Sequence, residues 1–185
     1  CRREWIPHYY KTHMGEFNVH SALLYSPTAS KIVVAAKEGS IKGADELLVS
    51  AITHVLQKAK LDSRYFQLVP IPSGKSSQRR RGRSFIVDLT SQISERMGLK
   101  MNDCLQLSRR VEDQSGLSRS QRVSNMKDAF SLKSDSIVRG DLIVIDDVVT
   151  TGATLKEAVR ALNSQSFHAV GSVSAVTACV AQPLR

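Results

Sequence analysis

The chain is short of several things, and each shortage excludes a class of protein. Its 185 residues hold three cysteines, Cys1, Cys104 and Cys179, too few and too scattered for a disulfide framework. A reducing cytoplasm is the expected compartment. Aromatic residues are 5% of the chain, sparse for a platform that stacks single-stranded bases. No apolar run approaches the roughly 20 residues that span a bilayer, and no charged-then-apolar leader opens the chain. Cys1, His8 and His13 match no zinc-ligand spacing and lack a fourth ligand. There is no repeat and no boundary linker, so one domain is expected. Cys1 in place of an initiating Met marks a trimmed chain or a fragment. Acidic side chains are the minority, 17 Asp and Glu against 26 Lys and Arg, and the net charge of +9 calls for an anionic partner: phosphate, pyrophosphate or nucleic acid.

What is present centres on residues 141–154, Asp-Leu-Ile-Val-Ile-Asp-Asp-Val-Val-Thr-Thr-Gly-Ala-Thr. Residues 142–145 are an unbroken apolar run, as in a strand buried on both faces of a parallel sheet. Asp146 and Asp147 follow, then a Thr/Gly turn into the helical pattern that begins near Leu155. Thr150, Thr151 and Thr154 offer hydroxyl donors, and Gly152 allows a close backbone approach. Such a turn at a helix N-terminus attracts a phosphate. Two aspartates repel phosphate but accept hydrogen bonds from a ribose diol. Neighbouring strand residues point to opposite faces, so both reach one sugar only if the strand ends near Ile145.

Other readings of this stretch fare worse. A Walker B strand needs a P-loop, and Gly74-Lys75-Ser76 has Val69 where the first glycine belongs. A response-regulator acidic pocket normally opens its domain, and no phospho-acceptor is evident. A turn with no ligand is the bland alternative, but two adjacent charges at a strand end are costly without a partner.

Around this centre the pattern is α/β. Residues 19–25 and 30–37 read as strands, with Lys37 just past the second, facing either a site or solvent. Residues 44–60 read as a helix, with apolar side chains on one face, and 65–69 as the next strand. Strand, helix, strand argues for βαβ units. The stretch 72–83, with Ser73, Gly74, Lys75, Arg79, Arg81 and Arg83, is either a solvated loop or an anion clamp at the strand edge where open α/β sheets bind ligands. Residues 84–97 form a helix with Ser84 as N-cap. Residues 104–107 are a short strand candidate, and 108–129 a long polar connection of the kind that serves as a lid. A helix over 155–162 and strands over 169–180 complete the chain.

Residues 142–155 resemble the 5-phosphoribosyl-1-pyrophosphate (PRPP) motif of the type I phosphoribosyltransferases. Three segments together resemble the ComF/GntX-like branch of that family, linked with DNA uptake. They are Val69-Pro-Ile-Pro72 with Arg80-Arg-Gly82; Asp113 to Arg122 with Asn125 and Ala129-Phe130; and the PRPP motif itself. The likeness runs from about Lys31 to the C-terminus. It implies an open, mainly parallel sheet with helices on both faces over residues 31–185, and an N-terminal hood or lid over 1–30. It further implies that Asp146 and Asp147 hold the ribose hydroxyls. Thr150, Thr151, Gly152, Ala153 and Thr154 would hold the 5′-phosphate, and Ser73, Gly74, Lys75, Arg79, Arg81 and Arg83 the pyrophosphate. Arg119 and Arg122 would sit on a flexible lid, and Mg²⁺ would arrive on PRPP with no direct protein ligand. The implied partners are a nucleobase or amine acceptor, single-stranded DNA or a protein of the competence machinery, and a second copy in a homodimer.

This chain departs from the pattern in places. Many relatives read Arg-Gly-Phe-Asn where it has Arg81-Gly-Arg-Ser84, and glycine is common where Asp128 stands. Many begin with a Cys-rich zinc segment of which Cys1 is the sole remnant, so no zinc is expected. Some purine enzymes of the family place an aspartate where this chain has Thr150, which argues against a hypoxanthine/guanine-type transferase.

Overall fold

The computed structural model describes residues 5–39, 41–111, 116–164 and 169–181, with Lys75 and Ser76 by backbone alone. Cys1, residues 113–115 and the Lys75 side chain lie outside the described residues. In chain order the elements are β1 (Tyr10–Met14), β2 (Phe17–Leu24), α1 (Pro27–Gly39), α2 (Lys42–Lys58), β3 (Phe66–Pro70), α3 (Lys75–Arg81) and α4 (Phe85–Met97). Then come β4 (Lys100–Met101), β5 (Leu105–Leu107), α5 (Arg119–Met126), β6 (Phe130–Leu132), β7 (Gly140–Val149), α6 (Ala153–Leu162) and β8 (Val170–Val180). Six strands form one sheet in the order β1-β2-β8-β7-β3-β4, and β5 pairs with β6 apart from it. Only β1 runs antiparallel in the main sheet. A mostly parallel sheet flanked by helices is the fold class the sequence implies.

Burial explains the centre. Leu142, Ile143, Val144 and Ile145 of β7 are all fully buried, so an uninterrupted apolar run suits this strand, covered on both faces. The connections out of the sheet's middle diverge. From β3 the chain passes through α3 and α4 to β4 on one side; from β7 it passes through α6 to β8 on the other. The β3/β7 boundary is therefore the topological switch point, where open α/β sheets bind ligands beyond the strands' carboxyl ends.

Three segments differ from expectation. Residues 30–37 form part of α1, a helix, although Ile32, Val33 and Val34 favour a strand. Ser26 Oγ accepts the Ala29 N–H at 3.1 Å and Pro27 opens the first turn, a paired start signal. The buried face, Ala29, Val33 and Ala36, then follows helical spacing. Residues 10–24, within the stretch read as a hood or lid, form β1 and β2, and β2 pairs with β8 inside the main sheet. The polar segment contains α5, started by a capping box in which Ser118 and Gln121 exchange side-chain-to-backbone hydrogen bonds.

Asp128, between α5 and β6, has φ +53°, a left-handed conformation that Asp tolerates better than most residues and glycine adopts freely. This accounts for the glycine common at this position in the family the sequence resembles. Its ion pair with Arg160, at 3.8 Å and 66% exposed, adds little. Asp128→Gly is expected to stabilise the fold by about 0.5–1 kcal/mol, as the αL penalty removed outweighs the chain entropy added. Urea unfolding measures it, and a loss of stability contradicts it.

Candidate active site

The crevice opens where β7 loses one neighbour. Its pairing with β3 ends at Ile145, opposite Pro70, and Ile71 N–H adds a last bond to the Ile145 carbonyl at 3.1 Å. Pairing with β8 continues through Val149, opposite Val180. The strand thus ends near Ile145 on one side only, which corrects the expectation that it stops there outright. Asp146 and Asp147 remain within β7 and alternate across the pleat.

The two carboxyls sit in contrasting electrostatic surroundings. Lys37 Nζ, from the last turn of α1, lies 2.6 Å from Asp147 Oδ2. Burial acts to raise the Asp147 carboxyl, but the Lys37 charge and hydrogen bond outweigh it and hold Asp147 below its ordinary value. Asp146 accepts the Asp147 backbone N–H at 2.9 Å. Burial and the neighbouring Asp147 charge push its carboxyl well above the ordinary range. Burial lowers and the two aspartates raise the Lys37 ammonium, and the aspartates win. Lys37 faces the site, not solvent alone.

The Thr/Gly turn joins β7 to α6. Gly152 has φ +75° and is the N-cap of α6. A Cβ there would meet only the end of the flexible Met14 side chain, so it is the left-handed backbone that calls for glycine. Thr151 Oγ1 accepts the Ala153 N–H at 3.3 Å, and Thr150 Oγ1 accepts from Arg122 Nη1 at 3.0 Å. Ala153 and Thr154 follow in the first turn of α6.

The basic stretch is not a loop throughout. After Pro72, Ser73 and Gly74 the chain forms α3, which turns its arginines in different directions. Arg81 and Arg80 both meet Glu38 of α1, at 2.7 and 3.3 Å. Arg83 clasps Asp45 of α2 with both terminal nitrogens, at 2.7 and 2.9 Å, and lies over the Phe85 ring at 5.0 Å. Its guanidinium is thus already committed to joining α2 to α4. Arg79 is exposed and lines an open cleft of about 560 Å³ with Gln78, Gly82, Arg83 and Ser84. The Ser73 carbonyl is taken by Gln78 Nε2 at 3.0 Å. Arg119 is exposed at the start of α5, away from the contact that Arg122 makes.

Residues the sequence did not single out complete the surroundings. Glu38 and Asp45 are the acids that hold the basic stretch, and neither lies in a recognisable motif. Glu157 of α6 accepts the Phe130 N–H at 3.1 Å and pairs with Arg160 at 2.7 Å, tying β6 to α6. Thr177, opposite Asp146 on β8, shares a buried 2.7 Å hydrogen bond with Ser21 of β2. An anion reaching Arg80 and Arg81 competes with Glu38. Glu38→Gln is therefore expected to tighten inorganic pyrophosphate about two- to fivefold, the scale of one part-exposed ion pair. Calorimetric titration reads this; unchanged or weaker binding means those arginines do not meet the anion.

A Thr/Gly turn at a helix N-terminus, beside the switch point of a parallel sheet, is the architecture of an α/β protein that binds phosphorylated sugars or nucleotides. The family model described as "Phosphoribosyl transferase domain" matches residues 79–182, more than half of the chain, and the chain belongs to that family. Among solved structures, an adenine phosphoribosyltransferase aligns with TM-score 0.50 at 12% identity, covering 98% of this chain and 88% of that one. An orotate phosphoribosyltransferase from Aeropyrum pernix aligns at TM-score 0.43 and 12% identity, over 74% of this chain and 60% of its own. A hypoxanthine phosphoribosyltransferase from Staphylococcus aureus aligns at TM-score 0.38 and 19% identity, over 70% and 63%. The chain thus spans less than two thirds of the latter two. At these identities the likeness is one of fold. No curated protein matches the sequence significantly.

Proposed function

We propose that this protein transfers the 5-phosphoribosyl group of PRPP to a nitrogen nucleophile, a nucleobase or an amine, and releases pyrophosphate. The observation that carries the proposal is the placement of Asp146, Asp147 and the 150–154 turn on one strand–helix junction at the switch point. Asp146 holds the ribose hydroxyls; Asp147, on the opposite face of the pleat and paired with Lys37, fixes this stretch of β7 from behind. Thr150, Thr151, Gly152, Ala153 and Thr154 hold the 5′-phosphate. Ser73, Gly74, Lys75, Arg79 and Arg81, at the end of β3, receive the pyrophosphate; Arg83, bound to Asp45, supports them from behind.

The C1–O bond to pyrophosphate breaks and its electron pair leaves on the pyrophosphate oxygen. The nucleophile then bonds to C1 and loses its proton. The protein's part is to fix the ribose, meet the leaving charge and exclude water. Among the described residues no cluster of three or more His, Cys, Asp and Glu stands ready for a metal. Mg²⁺, which favours substrate phosphates and waters with few protein ligands, would arrive on PRPP. Bound so, Mg²⁺ would neutralise charge on the departing pyrophosphate. Thr150, engaged by Arg122, offers no carboxylate to a purine, which favours an acceptor outside the hypoxanthine/guanine type. The buried free thiols of Cys104 and Cys179 accord with a reducing cytoplasm. Among the described residues no helix is long and apolar enough to cross a membrane.

Titration of PRPP with Mg²⁺ into the protein, followed by assay of pyrophosphate release with a panel of bases and amines, tests this reading. Absence of PRPP binding rejects it. A second reading, binding of single-stranded DNA in the uptake role suggested by the ComF/GntX likeness, is favoured by α3, where Arg79 is exposed and the Arg80 side chain is 57% exposed. Steeply salt-dependent DNA binding that survives Asp146→Asn supports it; its loss in that variant does not.

A further inference from the structure

We propose that Arg122 is a direct ligand of the 5′-phosphate, making α5 a fixed wall of the phosphate pocket; this rests on the PRPP reading above. Arg122 Nη1 donates to Thr150 Oγ1 at 3.0 Å, so its guanidinium already touches the first residue of the phosphate turn. Its Nε–H is buried and has no acceptor. A guanidinium presents its donors in one planar fork, matched to two oxygens of a phosphate. Nε is covered by protein atoms, so a 5′-phosphate lying over the 150–154 turn meets the terminal nitrogens at the edge of the fork, beside Thr150. It also supplies the negative charge this corner of the site is short of, since the ion pairs of the acidic pair run to Lys37 on the other side.

The mounting of Arg122 supports the assignment. At its N-terminus α5 is held by the Ser118–Gln121 capping box. At its C-terminus Arg109 donates to the Asn125 and Lys127 carbonyls, meeting orphan acceptors of the last turn. Along its length α5 packs on α6, the helix whose N-terminus forms the turn. The side chain therefore approaches the phosphate from an element already folded. A lid that orders on binding does not need these holdfasts. The chemistry that follows is selectivity. Arg122 favours ribose carrying a 5′-phosphate dianion over unphosphorylated ribose and nucleosides, and contributes nothing to the pyrophosphate end.

The test titrates ribose 5-phosphate and inorganic pyrophosphate separately into the parent protein, Arg122→Gln and Arg122→Lys. In Arg122→Gln, ribose 5-phosphate is expected to weaken about ten- to a hundredfold, the range for one hydrogen-bonded charge. Pyrophosphate affinity should stay within about twofold, because its site lies across the crevice. Arg122→Lys, which keeps the charge and loses the fork, should recover part of the affinity; it also serves as the test variant if Arg122→Gln does not fold. Equal ribose 5-phosphate affinity in parent and Arg122→Gln overturns the proposal. So does an equal loss for both ligands, which marks Arg122 as a structural prop. A parent that binds PRPP while the variants bind like it sinks this inference alone. A parent that binds neither PRPP nor ribose 5-phosphate sinks the PRPP reading with it.

Discussion

Asp146→Asn should weaken PRPP by about ten- to a hundredfold, since it removes a carboxyl that accepts from the ribose diol, and Asp147→Asn by less, since that carboxyl is taken by Lys37. Their effects on stability should differ in sign. Asp147→Asn strips Lys37 of its partner in a site where Asp147 is 4% exposed. The Lys37 side chain keeps 31% exposure, so water recovers part of the loss, and the cost is about 1–3 kcal/mol instead of the full penalty of a buried broken pair. Asp146→Asn removes a carboxyl whose charged form is disfavoured by burial and by Asp147. It should leave the protein as stable as before or more so. The pH dependence separates them again. Asp147, held below its ordinary value, contributes stability that is present above the unfolded aspartate pKa and lost as pH falls through the folded one. Asp146, raised, works the opposite way: its contribution is present in acid and lost as pH rises through the folded value. Calorimetric titration near neutral pH and urea unfolding from pH 2 to 8 read both effects. An Asp146→Asn variant as unstable as Asp147→Asn would show that the two carboxyls share one environment.

Glu157→Ala should cost about 2–4 kcal/mol, since a buried carboxylate is removed from an N–H and a guanidinium that it satisfies. Its Oε1 accepts the Phe130 N–H at 3.1 Å and lies 2.7 Å from Arg160 Nη2, which also donates to the Phe130 carbonyl at 3.0 Å. Without Glu157, the Phe130 amide is orphaned inside the β6–α6 contact and Arg160 loses its charge partner. For a chain of this length the melting temperature should fall by about 5–15 °C. Burial opposes the Glu157 charge, but Arg160 and the Phe130 amide prevail and hold its carboxyl below the ordinary value. Its contribution is thus present above the unfolded glutamate pKa and lost as pH falls through the folded one. The deficit of Glu157→Ala should therefore shrink in acid. A deficit unchanged down to pH 3 would assign the loss to packing, not charge.

Much of the catalytic half was legible in the chain. Residues 142–145 are buried because they are apolar without interruption, Gly152 is left-handed because the turn needs it, and α6 follows from its apolar spacing. Those signals are local, each carried by a few consecutive residues. Over 30–37 a local signal of another kind prevails: Ser26-Pro27 starts a helix there and overrides the β-branched run. Other features had no local signature at all. That β7 continues past Ile145 on one side depends on β8, which lies beyond it in the chain, running on to Val180. That Arg83 is tied to α2 depends on Asp45, 38 residues away. Lys37 meets Asp147 across 110 residues. By itself the sequence determined the parallel core, the acidic pair and the phosphate turn, because short-range pattern sets backbone conformation and burial. Tertiary structure alone decided which cations pair with which acids, because charge pairing is settled by distance in space between groups far apart along the chain.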